Sequence, residues 1–291
     1  MIEIKKATTI DEQINLLRSR GLIITNIEKT TKFMKNVNYY MFTGYLYDFR
    51  KDNNTYVDGI SFDKIYNIYQ CDKRIKNIIM YAIETIEQSI KTRIAYNFAH
   101  QIGELKYLTY DPKIFKYEKQ HNLFIKKFNQ TITNNQKVPF VKHHKEKYNG
   151  QFPIWVAVEL FTLGMVRYFY KNLISKYQKI ISREFNLNPI QFESWIENVT
   201  YLRNLSAHYM RLYNFNLEKT PKKNPRLFDE DYQVKHKIYD ILYIMKFLYP
   251  DKNEWNYYIL TSFQDIFDLY QEFIDIDAYG FNEYWLRQLS K

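Results

Sequence analysis

Residues 75–94 read IKNIIMYAIETIEQSIKTRI and contain the clearest helical pattern in the chain. Isoleucines recur there at intervals of four, four, three, four and four, at Ile75, Ile79, Ile83, Ile86, Ile90 and Ile94. This spacing places one apolar stripe along a helix, while charged residues such as Glu84 and Glu87 fall off the stripe. The pattern predicts a long bundle helix over about 62–99.

The segments around this helix also favour helices joined by short loops. Only 7 Gly and 7 Pro interrupt the 291 residues, whereas Tyr and Phe contribute 28 and 21. After Pro153, an apolar run predicts a central helix over about 154–174, in which burial would penalise the carboxylate of Glu159 unless it is paired. The letters NLNP at 186–189 predict an N-cap at Asn188 and a further helix. Because no strand-rich segment or repeat is visible, the predicted fold is mostly α.

Three parts are predicted along the chain. Residues 1–61 form an N-terminal helical segment that packs on the bundle. Residues 62–215 form a helical core with a basic, loop-rich insertion at about 101–150. Residues 216–291 form an acidic, helical C-terminal segment.

Charge is distributed unevenly over a chain whose formal net charge is +10. Residues 113–147 carry nine Lys and two acidic residues, whereas residues 251–291 carry eight acidic and three basic residues. The asymmetry predicts one side that binds a polyanion such as RNA. The candidates for phosphate contact there are Lys126, Lys127, Lys142, His143, His144, Lys145 and Lys147. A coding sequence rich in A and T would also favour Lys, but it does not explain where the charge lies.

Cysteine content and hydropathy favour a cytoplasmic protein. The single Cys71 excludes an intramolecular disulfide and a Cys-rich zinc site. The first 17 residues, MIEIKKATTIDEQINLL, lack the uninterrupted apolar core of a signal peptide. The most apolar stretch, WVAVELFTLGMV at 155–166, is too short to cross a bilayer and contains Glu159. We therefore expect no membrane partner.

A polar cluster lies in RNLSAHYMRLYN, residues 203–214. On a helix of about 100° per residue, Asn204, His208 and Arg211 share one narrow face. The opposite face is predicted to point into a core and contains Leu202, Leu205, Tyr209 and Leu212. Arg203 lies roughly 140° from His208 on the same wheel. The reach of arginine, a local distortion or a second protomer must therefore bring these two side chains together.

These residue types suit transesterification of a phosphodiester. A histidine that titrates near neutrality can move a proton at the ribose 2′-OH or at the leaving 5′-oxygen. The guanidinium groups of Arg203 and Arg211 can stabilise charge on the phosphorus oxygens, and Asn204 can orient the imidazole of His208 or contact phosphate. This scheme needs no metal and no other cofactor, and no His and carboxylates stand at metal-ligand spacing.

Two carboxylates outside this stretch are supporting candidates. Glu159 lies in the apolar run, where pairing with an Arg or Lys is the simpler interpretation. Glu87 stands four residues before Lys91, and an ordinary solvated ion pair is the simpler interpretation.

The wider string LRNLSAHYMRLYN, residues 202–214, closely resembles the signature of the Abi (abortive-infection) family of bacterial phage-resistance proteins. Their R-N-x-x-A-H motif assigns them to the HEPN superfamily. Other segments fit in order, and the resemblance covers about residues 10–215. These segments are QINLLRSRGLII (13–24), VNYYMFTGYLYDFRK (37–51), FDKIYNIYQCDKRIKNIIMYAIETIEQSIKTRIAY (62–96) and FPIWVAVELFTLGMVRYFYKNL (152–173).

The resemblance implies a HEPN-like helical bundle with additional helices and a metal-independent ribonuclease site centred on Arg203 and His208. It also implies a homodimer in which two motif helices face each other. Some family members resemble toxins restrained by a small structured RNA, so the basic residues 113–147 are expected to grip either a regulatory RNA or the substrate.

Three functions remain open from the sequence. The first is an RNA-cutting toxin of phage defence, with Arg203, Asn204 and His208 as catalytic residues. The second is a non-catalytic RNA-binding regulator in which the same motif grips phosphate. The third is purely structural: His208 is an ordinary helix histidine and the charge reflects base composition.

Overall fold

Our computed structural model describes residues 6–230 and 232–290. Apart from three isolated β-bridges, all regular secondary structure in these residues is helical. This confirms the mostly α prediction. None of these helices is both long and apolar enough to cross a bilayer. The α-helices are α1 (Ile10–Ser19), α2 (Ile27–Met34), α3 (Tyr39–Tyr45), α4 (Phe62–Gln101), α5 (Glu118–Asn134), α6 (Pro139–Lys147), α7 (Ile154–Ala157), α8 (Leu163–Asn172), α9 (Ser175–Arg183), α10 (Pro189–Ala207), α11 (Ile238–Leu248), α12 (Lys252–Glu254), α13 (Thr261–Tyr270) and α14 (Trp285–Leu289). Short 3₁₀ turns occupy Tyr47–Phe49, Val158–Leu160 and Ile276–Tyr279, and a π-helical turn, Trp255–Leu260, joins α12 to α13.

The 40-residue helix α4 is the axis of the fold and confirms the predicted long helix. Ser61 begins it as N-cap by accepting a hydrogen bond from the Lys64 N–H at 3.1 Å. All six isoleucines of the stripe are buried. Helices α3, α7, α9, α10, α11 and α13 pack around α4, so one helix organises the packing of elements from both ends of the chain.

The C-terminal region belongs to the same hydrophobic core. Helix α11 is buried along almost its whole length and packs against α4, α10 and α14. The indole N–H of Trp255 donates to the Leu289 carbonyl at 2.8 Å, which ties the last helix to the π-helical turn. One continuous apolar cluster extends from Ile14 to Leu289. The three predicted parts of the chain therefore share a core.

The prediction of one helix over 154–174 is wrong. Helix α7 and its 3₁₀ turn end at Phe161, whose backbone is extended. Thr162 then caps α8 by accepting a hydrogen bond from the Met165 N–H at 3.3 Å. Glu159 lies in the 3₁₀ turn and is exposed, so its carboxylate needs no buried partner.

The basic insertion was expected to be rich in loops, but it contains two successive helices, α5 and α6, joined by a short connection, which we call the α5–α6 hairpin. Phe124 and Phe128 on the inner face of α5 pack against Phe161, with ring centroids 5.0 and 5.4 Å apart. Phe124 also contacts Phe169 of α8. The apolar face of α5 is thus anchored, and its lysines are left outside.

Cys71 provides a test of the burial of α4. It lies on the inner side of the helix, and burial raises the pKa of its thiol to about 12. Because the thiolate is the reactive form, we expect the folded protein to resist iodoacetamide at pH 8 and to be alkylated once urea unfolds it. Mass spectrometry measures the labelling, and rapid labelling without urea would contradict this placement.

Candidate functional site

Helix α10 begins as predicted but ends inside the polar stretch. Its last residue is Ala207, and His208 is the C-cap. The N–H groups of Tyr209 and Met210 donate to carbonyls of the last turn at 3.2 and 2.9 Å, which is the bond pair of a Schellman motif. Tyr209 has φ +58°, a left-handed conformation that glycine usually provides. The prediction that the whole stretch 203–214 is helical is therefore wrong.

A buried ion pair on α4 holds the loop that follows. Asp72 is fully buried, and its carboxylate accepts hydrogen bonds from the N–H groups of Leu212 at 3.1 Å and Tyr213 at 3.0 Å. Lys76, one turn later on α4, forms a salt bridge with Asp72 at 3.1 Å. Its ammonium also donates to the Met210 carbonyl at 3.1 Å. The chain turns away from the α10 axis because these contacts bind its backbone to α4.

Two further side chains support the same loop. The Tyr45 hydroxyl donates to Asp72 at 2.6 Å. Burial, followed by the charge of Asp72, raises the pKa of this hydroxyl, so it stays protonated as a donor. Arg211 forms an ion pair with Asp48, which lies in the 3₁₀ turn that follows α3. Arg211 therefore lies outside the polar face predicted for the motif, and its guanidinium already has a carboxylate partner.

The core-facing side of the motif is only partly as predicted. The side chains of Leu202, Leu205 and Leu212 are buried, as expected. Tyr209 is instead 69% exposed, because the left-handed turn carries it to the surface beside His208.

The three motif residues surround the last turn of α10 at the surface. Asn204 and His208 are exposed, and Arg203 is partly buried. Arg203 donates to the Asn204 side-chain oxygen at 3.4 Å, a long hydrogen bond. In the described part of the chain, the His208 imidazole has no hydrogen-bond partner, and no hydrogen bond joins it to Arg203. Arg203 and His208 therefore form no direct bond with each other within the described part of one chain.

Arg203 lines a groove between α10 and α4. The cavity has a volume of about 430 Å³, and its other walls come from α4 at Met80, Tyr81, Ile83, Glu84, Glu87 and Gln88. The carboxylate of Glu87 is bound to the buried Lys91 at 2.8 Å. Of the two carboxylate candidates outside the motif, Glu87 thus lies beside Arg203, whereas Glu159 is not among the groove's lining residues.

Glu84 is a groove residue that the sequence interpretation missed. It is exposed and has no salt bridge among the residues that the structure describes. Its position three residues before Glu87 places both carboxylates on one side of α4. The three-residue spacing of Glu84 and Glu87 was visible in the sequence, but such a spacing is equally typical of an ordinary solvated helix face.

The candidate phosphate contacts lie on the α5–α6 hairpin. Lys126 and Lys127 of α5 are exposed, as are the α6 residues Lys142, His143, Lys145 and Lys147. His144 differs from these, because its ring stacks on Phe152 with centroids 5.4 Å apart. Its Nδ1 also lies 2.9 Å from the Phe140 carbonyl. His144 therefore has a structural role in holding α6 in place.

The hairpin and the motif lie beside different parts of α4. Phe98, near the C-terminal end of α4, packs against Phe169, which in turn contacts Phe124 of α5. The α4 residues beside the motif, Lys76 and Glu84, come 14 to 22 positions earlier. At 1.5 Å per residue this is roughly 20 to 30 Å along the helix axis. One RNA molecule that touches both regions must therefore extend along α4.

Histidines outside the motif form no metal site in residues 6–230 and 232–290. No three His, Cys, Asp or Glu side chains there are grouped closely enough to hold a metal ion. His121 of α5 is buried, and its Nε2 lies 2.8 Å from the Tyr107 carbonyl. His121 thus contributes to the interior of the protein.

Comparison with known proteins identifies one family. A family model described as Abi-like protein matches residues 32–214. The match covers more than half of the chain, includes all of α4 and α10, and ends in the loop that Asp72 holds. No curated protein and no solved structure matched the chain.

Removing the Asp72 carboxylate is expected to destabilise the protein strongly. Asp72→Ala leaves the buried Lys76 and two backbone N–H groups without their acceptor, which costs about 3–5 kcal/mol in the free energy of unfolding. The control is Asp63→Ala, which removes an ion pair with Lys29 whose side chains are both 41% exposed. Such a surface pair contributes about 0–1 kcal/mol. Urea unfolding followed by circular dichroism compares the two, and equal losses would contradict the anchoring role.

Proposed function

The chain belongs to the Abi-like protein family, and we propose that it is an abortive-infection protein that acts as a metal-independent endoribonuclease of the HEPN type. The observation that supports this most directly is the set formed at the capped end of α10 by the partly buried Arg203 and the exposed Asn204 and His208. The residue types match the R-N-x-x-A-H motif, and the loop behind them is fixed by a buried ion pair.

In the proposed reaction, the ribose 2′-oxygen attacks the adjacent phosphorus and the 5′-oxygen leaves. His208 moves the proton at one of these two oxygens, and water takes up or supplies the proton at the other. The imidazole is open to substrate, because it is exposed and has no hydrogen-bond partner in the described part of the chain. Arg203 stabilises the charge that develops on the phosphorus oxygens. Asn204, which accepts a hydrogen bond from Arg203, positions that guanidinium or contacts phosphate itself.

We propose that a homodimer completes the site. In the described residues no hydrogen bond joins Arg203 to His208, and the two positions lie roughly 140° apart around α10. The guanidinium of one protomer is therefore proposed to act with the partner's His208. Tyr209 and Met210 support this arrangement, because their side chains are 69% and 51% exposed beside His208. Large exposed apolar side chains next to a functional group are typical of a surface that another molecule covers.

RNA binding is proposed to involve the α5–α6 hairpin as well. Its exposed lysines offer positive charge for phosphates, either of the substrate or of a small regulatory RNA. A non-catalytic RNA-binding regulator is the second candidate function. The observation that favours it is the separation of Arg203 from His208, since a monomer with that geometry can grip phosphate without cutting it.

His208→Ala should abolish RNA cleavage and growth inhibition while leaving the fold intact. Loss of a general acid–base group lowers the rate by about 10²-fold or more. His100→Ala is the matched control, because His100 is exposed near the end of α4, away from the motif. Cleavage of labelled RNA and far-UV circular dichroism measure the two properties. Equal cleavage by the His208 variant and wild type would exclude the catalytic assignment.

Mixing Arg203→Ala with His208→Ala tests the dimer. Random exchange of equal amounts makes half of the dimers mixed, and each mixed dimer has one site of two with both residues intact. We therefore expect about a quarter of wild-type activity from two inactive proteins. If each site used residues of a single chain, every site in the mixture would lack one residue. Continued inactivity, with subunit exchange shown by differently tagged chains, would therefore contradict a site shared between protomers.

Replacing both Lys126 and Lys127 by Gln should weaken RNA binding more at low salt than at high salt. Each phosphate contact to a single strand contributes about 0.7 to the slope of log affinity against log salt concentration. Loss of both should therefore change the slope by about 1.4. The control replaces two other exposed lysines, Lys32 of α2 and Lys35, the C-cap of that helix. Fluorescence anisotropy gives the slopes, and identical slopes for both double variants would remove the hairpin from the RNA interface.

A further inference from the structure

We propose that the groove beside Arg203 is a nucleobase subsite that selects guanine. The inference rests on the proposed function, since it assigns a base preference to the RNA that the motif would cut. It concerns a region of α4 outside the motif, and four features of that region support it: an open groove, exposed aromatic rings, a free carboxylate and a cation at one end.

The groove is large enough for a nucleotide. The cavity of about 430 Å³ beside Arg203 adjoins a second of about 580 Å³, because Tyr81, Glu84 and Gln88 line both. The second cavity continues along α4 to Arg93, and Pro250 also lines it. Each volume lies within the range of small-molecule binding sites.

One wall of the groove carries a surface on which a base can stack. Tyr81 of α4 contacts Tyr258, with ring centroids 4.9 Å apart. The Tyr81 hydroxyl donates to Glu254 at 2.6 Å, which fixes the ring, while 41% of the side chain remains exposed. Tyr258 belongs to the π-helical turn, a distortion that is frequent at functional sites. Unstacked RNA bases are commonly bound on exposed aromatic rings of this kind.

The carboxylate of Glu84 indicates whether this part of the groove would contact the base or the phosphate of a bound nucleotide. Glu84 lines both cavities and has no salt bridge in the described part of the chain, whereas Glu87 is neutralised by Lys91. A free carboxylate repels phosphate, but it accepts hydrogen bonds from the N–H groups of a base edge. Glu84 is therefore expected to face the base and not the backbone.

Guanine fits this carboxylate best. Its N1–H and its amino group lie side by side and can donate to the two oxygens of Glu84, a bidentate arrangement. Adenine and cytosine offer an amino group beside an acceptor nitrogen, so only one such bond forms. Uracil presents a single N–H between two carbonyl oxygens, which the carboxylate repels. The Gln88 side chain, on the same wall, can both donate and accept, and so can meet the guanine carbonyl.

Arg203 connects this subsite to the proposed chemistry. It is the motif residue in the groove, and its guanidinium is suited to the phosphate next to a bound base. A guanine held by Tyr81 and Glu84 would thereby place an adjoining phosphate within reach of Arg203. The subsite would thus set the position of cleavage along the RNA.

The test uses 2′-O-methyl oligonucleotides, which lack the attacking hydroxyl and so report binding without cleavage. Four uridine oligomers carry G, A, C or U at one central position, and fluorescence anisotropy measures their affinity for wild-type protein. We expect the G oligomer to bind about tenfold tighter than the all-U oligomer, as one good bidentate contact would provide. Glu84→Gln should reduce this ratio to less than about threefold while binding the all-U oligomer at least as well as wild type does.

Glu28→Gln on α2 is the matched control, because it removes the same charge at an exposed position outside the groove, and it should retain the preference for G. Equal binding of all four oligomers by wild type, or an unchanged G preference in Glu84→Gln, would overturn the subsite. Either result would leave the proposed ribonuclease activity standing. A G preference that depends on Glu84, in a protein whose His208→Ala variant cuts RNA normally, would support the subsite and reject the proposed catalytic function. Failure of every oligomer to bind would overturn both.

Discussion

The buried carboxylate of Asp72 determines where helix α10 ends, and with it the position of His208. A charge that is removed from water is tolerated only when donors replace the water, and Asp72 has four of them. Two come from side chains, Tyr45 and Lys76, and two from backbone N–H groups in the loop after the motif. The loop cannot move without leaving this carboxylate short of donors. The end of α10 is therefore set by a tertiary contact with α4.

The left-handed Tyr209 follows from the same constraint. Placing a non-glycine residue in this conformation costs about 1–2 kcal/mol, and neither glycine nor asparagine occupies the position. The strain is maintained by the neighbouring Met210, whose carbonyl is bound to Lys76. Its result is a tyrosine ring that projects into solvent beside His208. Backbone strain next to exposed polar groups is common at functional sites, which agrees with a site that RNA or a second protomer covers.

The sequence predicted elements whose signals are local. The isoleucine spacing of α4 and the cap at Asn188 both identified helices, because burial of a stripe and capping of a helix depend on neighbouring residues. The end of α10 could not be predicted in this way, since its cause lies more than 130 residues earlier in the chain. One signal was available. Asp72 stands four residues after Ile68 and three before Ile75, so it occupies a position on the apolar stripe where a charge must find partners.

The candidate site was predictable in its residue types but not in its geometry. Asn204 and His208 are exposed as expected, whereas Arg211 leaves the face because the helix ends before it. A role for Glu84 could not be predicted, because a charge on the outer side of a helix is usually solvated. Only the structure shows that Glu84 lines the same groove as Arg203.

The nature of the ends left on cleaved RNA tests the central claim most directly. In the proposed mechanism, attack by the 2′-oxygen, assisted by His208 and Arg203, would leave a 2′,3′-cyclic phosphate and a 5′-hydroxyl, and it should proceed in the presence of a metal chelator. A substrate with 2′-deoxyribose at the cleaved nucleotide should not be cut there. We predict these results for purified wild-type protein. Products with 3′-hydroxyl and 5′-phosphate ends, or cleavage that chelation abolishes, would contradict the mechanism proposed for this site.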